Sequence, residues 1–167
     1  YIGPDSHFPI IRLKPRGSIK RCPLLKNRRC SVHKAKPAMC AMFPIGRVIV
    51  FPEDETSSEA PVIEYFYMNP GCGDNARRQT VRKWFDSFGI PLDDNFFIEW
   101  ATFQKNFIAL IRDAERFLGE AAMRQVWNPI FGILYLCYDL EKEFLPQFRE
   151  NSENLLCGLR KINKNQG

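Results

Sequence analysis

The chain has 167 residues, of which 45% are hydrophobic, and its formal net charge is +5. This length and composition allow a substantial core, which excludes a disordered protein and favours a single domain over residues 1–167. No apolar run approaches the roughly 18 residues that a membrane-spanning helix needs, and no signal-peptide pattern is present, so we expect no membrane partner.

The first predicted part of the chain, residues 1–73, is irregular and bears cysteines. Residues 1–46 are rich in proline, glycine and basic side chains, which predicts turns and loops that metal ligation can order. Two runs of β-branched and aromatic residues, 46–51 and 62–67, predict strands that pair as an antiparallel ribbon. That ribbon would return the chain from the early cysteines to a later one at residue 72.

From residue 74 the pattern becomes helical. Asp74 or Asn75 is predicted to cap a first helix that stops at Gly89. Asp93 or Asp94 is predicted to cap a second, whose apolar side chains recur every three or four residues from position 97 to position 118. Capping is the better interpretation of these two adjacent carboxylates, ahead of acid–base catalysis.

Two further helices are predicted near the end of the chain. Asn128 and Pro129 are expected to open the third, which reads through to Leu140, because proline is favoured in a first helical turn. Pro146 is expected to start or kink the fourth, which ends between residues 158 and 162. The predicted fold class is therefore mainly α with a small β ribbon: an irregular Cys-rich metal-binding N-terminal part, residues 1–73, followed by a helical bundle over residues 74–163.

Four of the six cysteines form the most informative pattern in the chain: Cys22, Cys30, Cys40 and Cys72. Four thiolates complete a tetrahedral zinc site or hold an iron–sulfur cluster, and the spacing does not decide between them. Prolines lie close to these positions, and glycines flank the last cysteine, which favours ligands held in tight turns. The alternative, that they are inert buried cysteines, fits poorly with polar and basic surroundings.

The remaining candidate ligands carry weaker signals. His33 follows Cys30 by three residues and is a possible fifth ligand, while His7 is expected to be solvated. Cys137 and Cys157 lie on apolar helical stretches and are expected to be core residues. Six cysteines could also form three disulfides in a secreted protein, but a chain of this length does not resemble a small disulfide scaffold, so we predict a reducing, cytoplasmic location.

The cysteine segments resemble, in order, those of the YkgJ family of bacterial cysteine-cluster proteins, described as putative zinc- or iron-chelating domains. The residues that carry the resemblance are Cys22-Pro-Leu-Leu, Cys30-Ser-Val-His, Lys36-Pro-Ala-Met-Cys40-Ala-Met-Phe-Pro44 and Asn69-Pro-Gly-Cys72. Lys36 and Ala41 stand where the family usually has arginine, and His33 where it commonly has tyrosine. The family also carries a Cys-x-x-Cys cluster near its N-terminus, which here lies before Tyr1 or is absent.

The resemblance implies metal binding and a biochemical role that is not defined. We therefore expect a metal-binding accessory or interaction module, with an enzyme that uses the centre for redox or protein-modification chemistry as the alternative. No phosphate-binding loop, nucleophile elbow or His-Glu-x-x-His motif accompanies the cysteines. Basic residues cluster near the cysteines, but a pI near 8.9 falls short of the usual signal of a nucleic-acid-binding domain and argues against that partner.

Overall fold

The computed structural model describes residues 7–53, 59–71 and 78–164. About half of the chain is helical, and two small antiparallel sheets accompany the helices, which confirms a mainly α protein with a small β ribbon. Contacts divide the chain into two compact units, unit 1 (residues 1–12 and 99–167) and unit 2 (residues 13–98). The single-domain assignment, with its division after residue 73, stays a prediction. Among the described residues, no helix is both long and apolar enough to cross a membrane.

Unit 2 contains the cysteine segments and both sheets. Its elements are β1 (Leu25–Lys26), β2 (Arg29–Cys30), a 3₁₀ helix (His33–Ala35), α1 (Ala38–Met42), β3 (Ile45–Val50), β4 (Val62–Tyr67), α2 (Val81–Asp86) and the first residues of α3 (Asn95–Phe117). The predicted strands match β3 and β4 to within one residue. The β1–β2 hairpin and the two short helices were not predicted individually, because elements of two to five residues leave no readable periodicity.

The β3–β4 ribbon has one half-buried face and one exposed face. Tyr65 lies on the half-buried face, where its ring meets the fully buried Phe85 edge-on at 5.5 Å. The Tyr65 hydroxyl donates a hydrogen bond to the carbonyl oxygen of Leu92 at 2.7 Å. Burial raises the pKa of Tyr65, although the nearby Arg47 guanidinium acts in the opposite direction. The ribbon is thus fastened by its buried face to the segment that leads into α3.

The helix that follows the ribbon begins later than predicted. The described part of α2 starts at Val81, and the Thr80 hydroxyl accepts a hydrogen bond from the Lys83 amide at 3.2 Å. The predicted caps, Asp74 and Asn75, lie outside the described residues. The predicted stop at Gly89 is confirmed: its φ of +64° is in the left-handed region, and the Ile90 amide bonds back to the Phe85 carbonyl at 3.0 Å.

The start of α3 is fixed by one carboxylate with two roles. Oδ1 of Asp94 accepts a hydrogen bond from the Phe97 amide at 3.1 Å, which confirms the predicted cap. Oδ2 of the same side chain pairs with the Arg47 guanidinium at 2.7 Å, and the two side chains are only 17% and 10% exposed. The Phe97 ring lies beside that guanidinium at 4.0 Å. Arg47 on β3 therefore ties the ribbon to the first turn of α3.

Unit 1 is helical, with the rest of α3, α4 (Glu120–Tyr135) and α5 (Phe144–Lys164). The buried residues of α3 are spaced four, four and three apart, as its pattern predicts: Phe103, Phe107, Ile111 and Ala114. The predicted start of the third helix at Asn128 and Pro129 is wrong. Good helix formers from Glu120 onward begin α4 earlier, and Pro129 lies in its interior. Its predicted extension to Leu140 is also wrong, since that side chain is 92% exposed beyond the end of α4.

The N-terminal segment completes the core of unit 1. Phe8 is 2% exposed, and its ring meets Phe107 at 5.3 Å and Trp100 at 5.6 Å, both edge-on. The Tyr135 hydroxyl donates to the Pro9 carbonyl at 2.6 Å, and burial raises the pKa of that tyrosine to about 12. This aromatic cluster explains why residues far from the helices in sequence belong to the same unit.

Candidate metal centre

Two of the predicted ligands are placed by a tight hairpin. The Cys22 carbonyl accepts a hydrogen bond from the Leu25 amide at 3.1 Å, which closes a turn just before β1. Leu25 then pairs directly with Cys30 across the β1–β2 sheet. Asn27 and Arg28, between the strands, have φ values of 48° and 62°, as a two-residue turn of the I′ type requires. Cys22 is exposed and Cys30 is half-buried.

The third predicted ligand, Cys40, lies on α1 and faces solvent. The next two residues of this short helix, Ala41 and Met42, are 4% and 2% exposed and fix its inner side. The Met42 carbonyl accepts a hydrogen bond from the Trp84 indole at 3.1 Å. The helix is therefore anchored in unit 2 through its inner face while the Cys40 thiol stays exposed.

The fourth predicted ligand, Cys72, lies outside the described residues. The segment that leads to it is described, and it forms a tight turn in which the Asn69 side chain accepts a hydrogen bond from the Gly71 amide at 3.0 Å. Gly71 has a φ of +65°, which a residue with a Cβ rarely adopts. The Asn-Pro-Gly sequence thus supplies both an Asx-type turn and the glycine that the turn requires.

The described residues do not complete a metal site by themselves. Among them, no group of three or more His, Cys, Asp or Glu side chains is placed to hold a metal ion. His33, the possible fifth ligand, is exposed on the 3₁₀ helix, and nothing in the described part of the chain joins it to a three-residue ligand group. Cys22, Cys30 and Cys40 are free thiols at or near the surface, and thiolate sulfur is a donor type that zinc and iron accept.

The structure corrects three side predictions. Cys137 and Cys157 are exposed and are not core residues. α4 ends before Cys137, and Cys157 lies two residues from the buried Leu155 and Leu159, on the opposite side of α5. His7 is paired, not simply solvated, because its Nδ1 lies 2.6 Å from a carboxylate oxygen of Glu115. The sequence carries no signal for the His7–Glu115 pair, because 108 positions separate the two residues.

Comparison of the chain with models of protein families, with curated proteins and with solved structures found no match in any of the three searches.

Proposed function

We propose that this chain is a metal-binding cysteine-cluster module, with Cys22, Cys30, Cys40 and Cys72 as ligands of zinc or an iron–sulfur cluster. The order of the cysteine segments, similar to that of the YkgJ family, supports the proposal. So does the placement of three of these thiols, since Cys22 and Cys40 are exposed and Cys30 is only half-buried, which argues against inert core cysteines at these positions. Because no catalytic motif accompanies the cysteines in the sequence, we assign the module an accessory or interaction role. Thiol ligands require a reducing compartment, which favours the cytoplasm.

The observation that carries the proposal is the hairpin between Cys22 and Cys30. Its strands have two residues each, and a two-stranded hairpin in water is marginal even when it is longer. It also places two cations, Lys26 and Arg29, directly opposite each other, which is destabilising. Metal ligation by Cys22, before β1, and by Cys30, at the end of β2, would hold the two strands of the hairpin together. Metal binding would then supply folding free energy that these few residues lack.

The test is elemental analysis of the natural full-length protein, purified without oxygen. We expect zinc or iron near stoichiometric level, and its loss in the single variants Cys22→Ser, Cys30→Ser, Cys40→Ser and Cys72→Ser. Cys137→Ser and Cys157→Ser are matched controls, because these thiols are also exposed but lie on unit 1. A protein without either metal, or control variants that lose as much metal as the ligand variants, would contradict the proposal.

Two further measurements separate the kinds of centre. A visible absorption band that bleaches on reduction indicates an iron–sulfur cluster, whereas a colourless protein with bound zinc indicates a structural site. If the centre clamps the hairpin, a chelator will speed amide hydrogen exchange at Leu25 and Ser31, whose amides bond to the Cys22 and Leu24 carbonyls at 3.1 and 2.9 Å. An iron centre that changes oxidation state while converting a substrate would instead support the enzyme alternative.

A further inference from the structure

Charge is strongly segregated along unit 2. Residues 13–52 contain ten lysines and arginines and no aspartate or glutamate, whereas residues 53–98 contain nine acidic residues and four basic ones. The pI near 8.9 averages these two stretches together with the rest of the chain. The modest pI of the whole chain, which argued against a nucleic-acid partner, therefore conceals a continuous positively charged stretch.

The structure arranges six of these cations on two consecutive hairpins, which we call the basic hairpins. In the first, Arg16 and Arg21 exchange both of their backbone hydrogen bonds, each at 2.8 Å, around the loop of residues 17–20. In the second, β1–β2, Lys26 lies directly opposite Arg29 in the antiparallel register. The loops add Lys20 and Arg28, both with positive φ. All six side chains belong to exposed residues.

The paired cations are an unfavourable arrangement in the isolated protein. Residues that exchange both hydrogen bonds in an antiparallel pair have Cα atoms about 5.5 Å apart, and like charges in such positions repel. No ion pair joins Arg16, Arg21, Lys26 or Arg29 to a carboxylate in the described part of the chain. An anion placed between the two members of a pair would relieve the repulsion and bind both cations at once.

We propose that the basic hairpins bind the phosphodiester backbone of a nucleic-acid duplex without reading its sequence. A surface of one sign matches a polymer whose charges are also all of one sign, whereas protein surfaces usually mix both. Four of the six cations are arginines, whose planar fork suits phosphate. Residues 13–42 contain no Phe, Trp or Tyr, so this stretch lacks the stacking platform that single-strand binders use, which favours a duplex.

The inference goes beyond the metal module, and its test does not depend on the metal. The probe is a fluorescein-labelled DNA duplex of about 20 base pairs and arbitrary sequence, titrated by anisotropy between about 50 and 200 mM KCl. We expect micromolar affinity that falls linearly with salt on logarithmic axes. Arg16→Gln with Arg21→Gln, and separately Lys26→Gln with Arg29→Gln, should weaken binding and each reduce the salt slope by about one, since each pair neutralises one phosphate.

The control variant is Lys161→Gln with Lys164→Gln, which removes the same charge from exposed positions on α5 of unit 1 and should change the affinity less than twofold. The hairpin variants should keep or raise the melting temperature, because they remove repulsion, and should keep their metal content. Absence of salt-dependent duplex binding, or hairpin variants that bind like the control, overturns the inference. Polyglutamate and phosphatidylserine vesicles are the competing polyanions. If either binds as tightly as the DNA duplex or more tightly, and the hairpin variants lose that binding, the nucleic-acid assignment is overturned. A failed metal analysis leaves these outcomes unaffected.

Discussion

The buried Arg47–Asp94 ion pair should make a large contribution to the stability of unit 2, and a single substitution can measure it. Oδ2 of Asp94 lies 2.7 Å from the Arg47 guanidinium, and these side chains are 17% and 10% exposed. Nη1 of Arg47 is already buried without a hydrogen-bond partner among the described residues. Asp94→Asn would leave the cation buried without its counter-charge while keeping a good helix cap. Breaking a buried pair from one side costs about 3 to 5 kcal/mol, and residual exposure favours the lower end.

A second substitution separates the ion pair from the cap. Asp94→Ala removes both roles of the carboxylate and should cost about 1 kcal/mol more than Asp94→Asn, the usual contribution of an N-cap. Arg47→Met with Asp94→Asn removes both charges and keeps an apolar stem against the Phe97 ring. The double variant should therefore be more stable than the sum of the single effects predicts, by about 1 kcal/mol or more.

The measurement is urea unfolding followed by the NMR signal of the Trp84 indole, which bonds to the Met42 carbonyl within unit 2. Arg124→Gln is the control, because its ion pair with Glu120 is exposed at 73% and 88% and should contribute less than about 0.5 kcal/mol. Loss of under about 1 kcal/mol for Asp94→Asn, or additive effects of the two charge removals, would refute the idea that burial makes this pair indispensable.

Three further outcomes follow from single positions. Gly46→Ala places a Cβ too close to the Phe66 ring, so that ring must swing away. We expect the chemical shifts of Phe66 to change and the ribbon to lose stability, with much less loss when Phe66 is already alanine. Pro129→Ala restores an amide donor inside α4 and should raise the free energy of unfolding by about 1 to 3 kcal/mol in urea titrations. The Arg149 hydrogen bond lowers the pKa of Glu99, so the pair contributes its full stabilisation above the ordinary carboxyl pKa and loses it as pH falls through the lowered pKa. Glu99→Gln should therefore lower the free energy of unfolding at pH 7, and the loss should shrink steadily as the pH is lowered into the acid range.

The sequence predicts best where an element is long or where one residue has a single conformational role. The apolar repeat of α3, the Asp94 cap and the stop at Gly89 all depend on local chemistry, and all three are confirmed. The start of α4 could not be read in the same way. Pro129 is a strong local signal for a helix start, but the good helix formers before it outweigh the loss of one backbone hydrogen bond.

The candidate site is harder to predict than the fold, because it depends on pairings between distant residues. The four cysteines and their turns are visible in the sequence, yet their spacing says nothing about whether the sulfurs converge, and Cys72 lies outside the described residues. The Arg47–Asp94 ion pair could not be predicted from the sequence either, because the two residues are 47 positions apart. Exposure was mispredicted for Cys137 because α4 ends before that residue, and for Cys157 because an apolar neighbourhood in sequence does not fix which side of a helix is buried.

The thiols and the cations occupy the same short stretch of chain, and this has a physical consequence. Residues 13–42 contain elements of five residues or fewer, so local hydrogen bonds alone cannot hold them firmly. Their cations also repel, and neutralising thiolates would offset that repulsion within the stretch. When the thiolate ligands outnumber the positive charges of the metal ion, the ligated cluster keeps a net negative charge. Such a cluster would order the hairpins and would also reduce the repulsion among their cations. The exposed arginines at Arg16, Arg21, Arg28 and Arg29 would remain available for an external anion, which is why a metal centre and a polyanion surface are compatible on one hairpin pair.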